Sequence, residues 1–221
     1  MLATIVLVLW PVAYQTGRAI IALAIPALVI GLAILLREKR TTSNLLITGL
    51  CAMALFLIFP GRDFSRDELR ESYVRELHHF AGVRYVWGGE NCFGIDCSGL
   101  VRKGLINAEV KTGLVTLNPR LARQGLDLWW HDCSATALRE QYRNFTTKLF
   151  EIESINILDA AKIRPGDIAV TSSGMHVMAY IGGKNWIEAD PGPHKVLVVE
   201  TPSENFWFKQ PMYIMRWRNL E

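Results

Sequence analysis

The residues best able to do chemistry in this 221-residue chain fall in two places. The first runs from Tyr85-Val86-Trp87-Gly88-Gly89 to Asp96-Cys97-Ser98-Gly99-Leu100-Val101. Asp96 stands where a helix N-cap belongs, which puts Cys97 in the first turn. Unpaired backbone N–H groups and the helix dipole favour an anion there, an environment that activates a thiol as a nucleophile. The second place runs from Gly174-Met175-His176-Val177 to Trp186-Ile187-Glu188-Ala189. His176 falls on an expected strand, and Glu188 lies twelve residues on, across a Gly182-Gly183 turn. Neighbouring antiparallel strands can bring two such side chains together on one face. A cysteine, a histidine base and a third group that orients the histidine are the parts of thiol-dependent acyl transfer.

The surrounding pattern supplies elements to hold these groups. Ser65 and Glu68 have capping-box spacing, and Leu69, Tyr73, Val74, Leu77 and Phe80 recur at helical intervals, so a helix is expected over 65–80, ended by Gly82. Arg84–Trp87 is short and β-prone, and a second helix is expected over Cys97–Asn107. Residues 108–160 are mixed, with weak helical signals at 119–130 and 134–150. Beyond Pro165-Gly166 the chain turns to strands at Asp167–Thr171, Met175–Ile181, Asn185–Glu188, Lys195–Val199 and Tyr213–Trp217, separated by Gly, Pro, Asn and Lys. Helices followed by a run of antiparallel strands make an α+β domain.

Residues 1–60 differ in kind. They hold five charged side chains, Arg18, Arg37, Glu38, Lys39 and Arg40, and with them the whole net charge of +3; residues 61–221 balance at 20 basic against 20 acidic. A basic pI therefore gives no reason to expect nucleic acid; the excess sits beside apolar stretches. Ala19–Leu36 is eighteen apolar residues between Arg18 and Arg37, Thr41–Pro60 is twenty uncharged ones, and Met1–Gly17 is a third, shorter stretch. Expected spans near 1–17, 19–36 and 41–60 make residues 1–60 a transmembrane anchor of two or three helices in the lipid bilayer. A signal peptide fits poorly, since no basic segment precedes Leu2 and two more apolar stretches follow. Arg37–Arg40 argues for a cytoplasmic loop, while Arg62, Arg66, Arg70 and Arg75 argue the other way; the short loop carries more weight. The expectation is a multi-pass protein of the cytoplasmic (inner) membrane with residues 61–221 on the outer (periplasmic) face.

The two chemical segments, with Arg164-Pro165-Gly166-Asp167 and His176-Val177-Met178-Ala179-Tyr180-Ile181-Gly182, are similar in kind and order to four motifs of the NlpC family of cell-wall cysteine endopeptidases, in the papain-like superfamily. The resemblance covers roughly residues 66–190. It implies a Cys-bearing helix packed on an antiparallel sheet that carries the His. It also implies hydrolysis of the γ-D-glutamyl to diamino-acid bond of peptidoglycan stem peptides. By position Cys97 is the nucleophile, His176 the base and Glu188 the orienting residue, with Tyr85, Asp96 and Ser98 lining the substrate pocket. The family often has His where Glu188 stands, and Glu is common there in related CHAP amidases, so an amidase is an alternative. A non-cleaving peptidoglycan-binding regulator and a membrane-associated acyltransferase are two more. Residues 108–160 are expected to contain an insertion.

Other residues carry blander readings. Asp132-Cys133-Ser134 repeats the triplet around Cys97 but lacks the glycine and apolar helix that follow it, so coincidence is favoured over a second site. Trp129-Trp130 suits core packing or a cleft wall, and Cys51 is a small apolar residue of a span. A Cys92–Cys133 disulfide is open in an oxidising compartment, with two unpaired thiols the favoured alternative. His78, His79, His131 and His194 lack metal-ligand spacing, so neither metal nor other cofactor is expected.

Overall fold

A computed structural model describes residues 9–12 and 14–221. Two apolar helices come first, α1 (Gln15–Leu35) and α2 (Arg40–Ile58), both long and apolar enough to cross a membrane. At 1.5 Å per residue each measures about 30 Å, the thickness of a bilayer's hydrocarbon. A short loop joins them, and Ser43 Oγ donates to the Ala33 carbonyl at 2.8 Å across the pair. Only Arg18 and Ala33 of α1 are buried, and no residue of α2 is. The expected third span at 1–17 lies partly outside the described residues. Within its described part, Pro11 and Val12 are not helical: Pro11 accepts from the Glu90 N–H at 2.8 Å and Val12 bridges to Gly89.

The helical layer of the domain follows. Helix α3 (Arg66–His78) is capped by Ser65, which accepts the Glu68 N–H at 3.2 Å, and has Asp67 and Glu68 at its positive end. It packs Leu69, Tyr73 and Leu77 against α4 (Cys97–Val115), where Gly104 lets Tyr73 and Leu77 approach closely. Helix α5 (Pro119–Trp130) is capped by Asn118 and begins on a proline, and α6 (Ala135–Arg139) is capped by Ser134. A small hairpin, β1 (Glu90–Asn91) and β2 (Gly94–Ile95), precedes α4.

The remaining strands are β3 (Thr146–Ile152), β4 (Ile168–Thr171), β5 (Val177–Gly182), β6 (Asn185–Asp190), β7 (Lys195–Glu200) and β8 (Met212–Trp217). They form one antiparallel sheet in the order β3-β8-β4-β5-β6-β7. Its inner face packs Val177, Ala179, Ile187 and Ala189 against Leu100, Val101 and Leu105 of α4. The outer face has its own core, with Met178, Trp186, Phe208 and Ile214. This is an α+β fold with a Cys-bearing helix packed on an antiparallel sheet. Two expected elements differ. The second helix runs on past Asn107 to Val115, and the helical signal at 134–150 yields only α6, followed by edge strand β3.

Candidate active site

Asp96 caps α4 and ties the helix start to the glycine loop before it. Its Oδ1 accepts from the Gly99 N–H at 2.6 Å and from Ser98 Oγ at 3.0 Å, and its Oδ2 accepts from the Gly88 N–H at 2.8 Å. Gly99 is required by packing: a Cβ there would stand 2.2 Å from the Gly89 carbonyl oxygen. Burial pushes the Asp96 carboxyl up, against the pull of these three donors. Cys97 follows as the first helical residue, nearly buried, with its backbone N–H unused by the helix.

His176 immediately precedes β5. Its backbone is fixed by Thr171 on β4: the His176 N–H donates to Thr171 Oγ1 at 3.0 Å, and the Thr171 N–H donates to the His176 carbonyl at 3.0 Å. The ring lies on Trp207, centroids 4.2 Å apart and planes 16° from parallel. Nε2 meets Glu188 Oε2 at 2.6 Å, so that Nδ1 is not used by this pair. Burial disfavours the imidazolium, but the hydrogen bonds and charges of Cys97 and Glu188 outweigh it and raise the His176 pKa to about 9. Glu188 has no exposed area, and burial pushes its carboxyl up against the opposing pull of His176. Its other oxygen accepts from Asn205 Nδ2 at 2.8 Å; that amide also donates to Asp190 at 3.0 Å, and so separates two carboxylates.

Cys97, His176 and Glu188 are thus brought together, with Tyr85, Asp96 and Ser98 along the same cleft of about 560 Å³. Burial, and the charges of Cys97 and Asp96, push the Tyr85 hydroxyl up, so it remains a donor at neutral pH. Thr171, Asn205, Asp190 and Trp207 were missed by sequence reasoning. Asn205 and Trp207 come from a turn more than fifteen residues beyond Glu188, and no local pattern points there.

Asp132-Cys133-Ser134 makes no second site. Asp132 pairs with Arg102 at 2.6 Å, Ser134 caps α6, and burial pushes the Cys133 thiol up to about 11. Cys133 and Cys92 are both free, the first buried and the second exposed. Trp129 is half-buried beside the core, and neither it nor Trp130 lines the cleft.

The profile of the NlpC/P60 family matches residues 82–216, well over half of the chain, and takes in every residue of this cleft. The chain belongs to the NlpC/P60 family. Solved NlpC/P60 structures resemble it at low identity. NlpC2 from Trichomonas vaginalis is 19% identical with a TM-score of 0.43, over 71% of this chain and 48% of that one, so the chain spans about half of its length. The P60 domain of an M. avium subspecies paratuberculosis antigen is 23% identical with a TM-score of 0.42, over 68% and 96%. The peptidoglycan hydrolase RipB from Mycobacterium tuberculosis is 22% identical with a TM-score of 0.40, over 67% and 65%. No curated protein matches the chain.

Proposed function

We propose that this NlpC/P60 protein is a membrane-anchored cysteine peptidase that hydrolyses peptidoglycan stem peptides at the γ-D-glutamyl to diamino-acid bond. The observation that carries the reading is that Cys97, at the start of α4, and His176, its ring held by Glu188 at 2.6 Å, line one cleft. In the mechanism, His176 Nδ1 takes the Cys97 proton and the sulfur attacks the scissile carbonyl carbon. The oxyanion receives the Cys97 backbone N–H and one further donor, for which the Tyr85 hydroxyl is in reach of the same cleft. His176 returns the proton to the departing amine, leaving a thioester on Cys97. Water, deprotonated by His176, then hydrolyses that thioester. Glu188 fixes the ring and stabilises its charged form, while Asp96 and Ser98 give acceptors for the amino terminus of the stem peptide.

We further propose that α1 and α2 form the anchor, with the domain on the periplasmic face of the inner membrane. Their side chains support this. Leu23, Ile34 and Leu35 of α1 and Leu45 and Ile58 of α2 are all 60% or more exposed, which an aqueous setting would oppose.

Digestion of purified muropeptides by the full chain in detergent tests the reaction. Mass spectrometry should show products with a new amino terminus on the diamino acid, and Cys97→Ala should abolish them while Cys133→Ala keeps most activity. Release of the whole stem peptide from the sugar would make the protein an amidase instead, and binding without products would make it a regulator.

A further inference from the structure

Arg18 opens the apolar run of α1, yet it has no exposed surface and faces the domain. Its Nη2 lies 2.7 Å from Glu90 Oε2 and 3.9 Å from Asp132 Oδ1, and its Nη1 donates to the Trp129 carbonyl. The guanidinium also stands 5.8 Å from the Trp129 ring centroid. Arg102, a turn and a half beyond Cys97 on α4, donates to the same two carboxylates. Glu90 is therefore clamped by two arginines, one from the helix that bears Cys97 and one from the first apolar helix. Glu90, Arg102 and Asp132 all line the cleft.

The chain just before α1 holds the same hairpin. Pro11 accepts from the Glu90 N–H at 2.8 Å, Trp10 accepts from Asn91 Nδ2 at 2.9 Å, and Val12 bridges to Gly89. The next contacts inward reach the nucleophile. The Gly88 N–H donates to Asp96 Oδ2 at 2.8 Å, the Asp96 N–H donates to the Gly89 carbonyl at 3.1 Å, and Asp96 caps the helix that starts at Cys97.

We propose that Arg18 is a positioning residue of the active site, and that α1 is a brace behind the cleft, acting through Glu90, in addition to an anchor. This rests on the hydrolase reading of Cys97 and His176. Docking of α1 holds Glu90 and the Gly88–Gly89 turn in the position that Asp96 needs to cap α4. Freed from Arg18, the hairpin keeps Arg102 as the one cationic clamp on Glu90 among the described residues, and swings with the segment before α1. The substrate then meets a cleft with one loose side.

The test uses the full chain in lipid nanodiscs, with Arg18→Ala, Arg18→Lys and Glu90→Gln. Two readouts are taken: the rate at which iodoacetamide alkylates Cys97, which needs no substrate, and kcat and KM on muropeptides. Arg18→Ala should change the alkylation rate and lower kcat/KM, each by about tenfold, the equivalent of one hydrogen bond to a charged group. Arg18→Lys should recover part of both, and it serves alone if Arg18→Ala does not fold. Arg18→Ala and Glu90→Gln should be non-additive, since they break one contact. Wild-type values of both readouts in Arg18→Ala, or in Arg18→Lys where Arg18→Ala does not fold, would overturn the proposal, as would full additivity with Glu90→Gln. If the wild type cleaves no muropeptide while alkylation still responds to Arg18, the hydrolase reading fails and the positioning role stands.

Discussion

His176 sits where opposing effects of similar size meet. Burial works against its charged form, and Cys97 and Glu188 work for it; the second effect wins, with a pKa of about 9. Because this lies above the value near 6.5 of an unfolded histidine, the contribution to stability is complete below about pH 6.5 and is lost as pH rises through 9. The partners can be separated by mutation. Cys97→Ala removes the strongest upward influence, so the imidazole resonances of His176 followed by NMR should titrate at a lower pH than in the wild type. An unchanged midpoint would mean that the sulfur does not touch the ring. Glu188→Gln should lower the midpoint too, and cost about a hundredfold in kcat through the loss of a properly held general base. Asn205 gives this second effect a structural basis, because its amide holds the far Glu188 oxygen at 2.8 Å and Asp190 at 3.0 Å.

At the scale of elements, what matters is how closely α4 approaches the glycine loop. A Cβ on Gly99 would lie 2.2 Å from the Gly89 carbonyl oxygen, a backbone atom that a flexible side chain cannot yield for. Gly99→Ala should therefore cost about 1–3 kcal/mol of unfolding free energy in urea titration, and should lower turnover as well, because Asp96 and Cys97 move with the loop. Wild-type stability and turnover together would show that the two segments part freely. The caps at Ser65 and Asp96 were legible because side chain and backbone are neighbours in sequence, whereas the close approach at Gly99 was not, since its partner Gly89 comes from another segment. Five of the strands were legible from alternation and turn residues within a residue or two. Strand β3 was not: a register shift between Lys148 and Phe150 breaks the alternation of its faces, and it lies at the sheet edge. The end of α4 was hidden by Glu109, a fully buried carboxylate that reads as surface; burial pushes it up to about 8 and Asn219, far along the chain, donates to it at 2.5 Å. The same separation hid Asn205 and Trp207.

For the whole molecule, the proposed orientation turns on the ends of the two apolar helices. Arg18 binds the start of α1 to Glu90, and Arg123 donates to the carbonyls of Leu57 and Phe59, at 2.8 and 2.6 Å, at the end of α2. Asn118 and Arg62 exchange two more hydrogen bonds just beyond, at 3.1 and 2.9 Å. Both outer ends thus meet the domain, and the connecting loop with exposed Arg37, Lys39 and Arg40 lies a full helix length away, about 30 Å. Trp10 and Tyr14 are exposed at the domain end, where aromatic rings suit a membrane–water interface. In the orientation we propose, the basic loop lies in the cytoplasm, as the positive-inside rule favours, and the domain lies on the side where peptidoglycan is. Exposed Cys92 is a ready reporter of that side. In cells carrying Cys97→Ala, a membrane-impermeant maleimide should label Cys92 without lysis, and a cysteine placed by Glu38→Cys in a Cys92→Ser background should be labelled only after lysis. A phosphatase fused after Glu221 should likewise be active. The reverse pattern would turn the domain to the cytoplasm, remove peptidoglycan as its substrate, and leave Arg18 bracing a hydrolase for some other γ-linked or amide-bearing molecule.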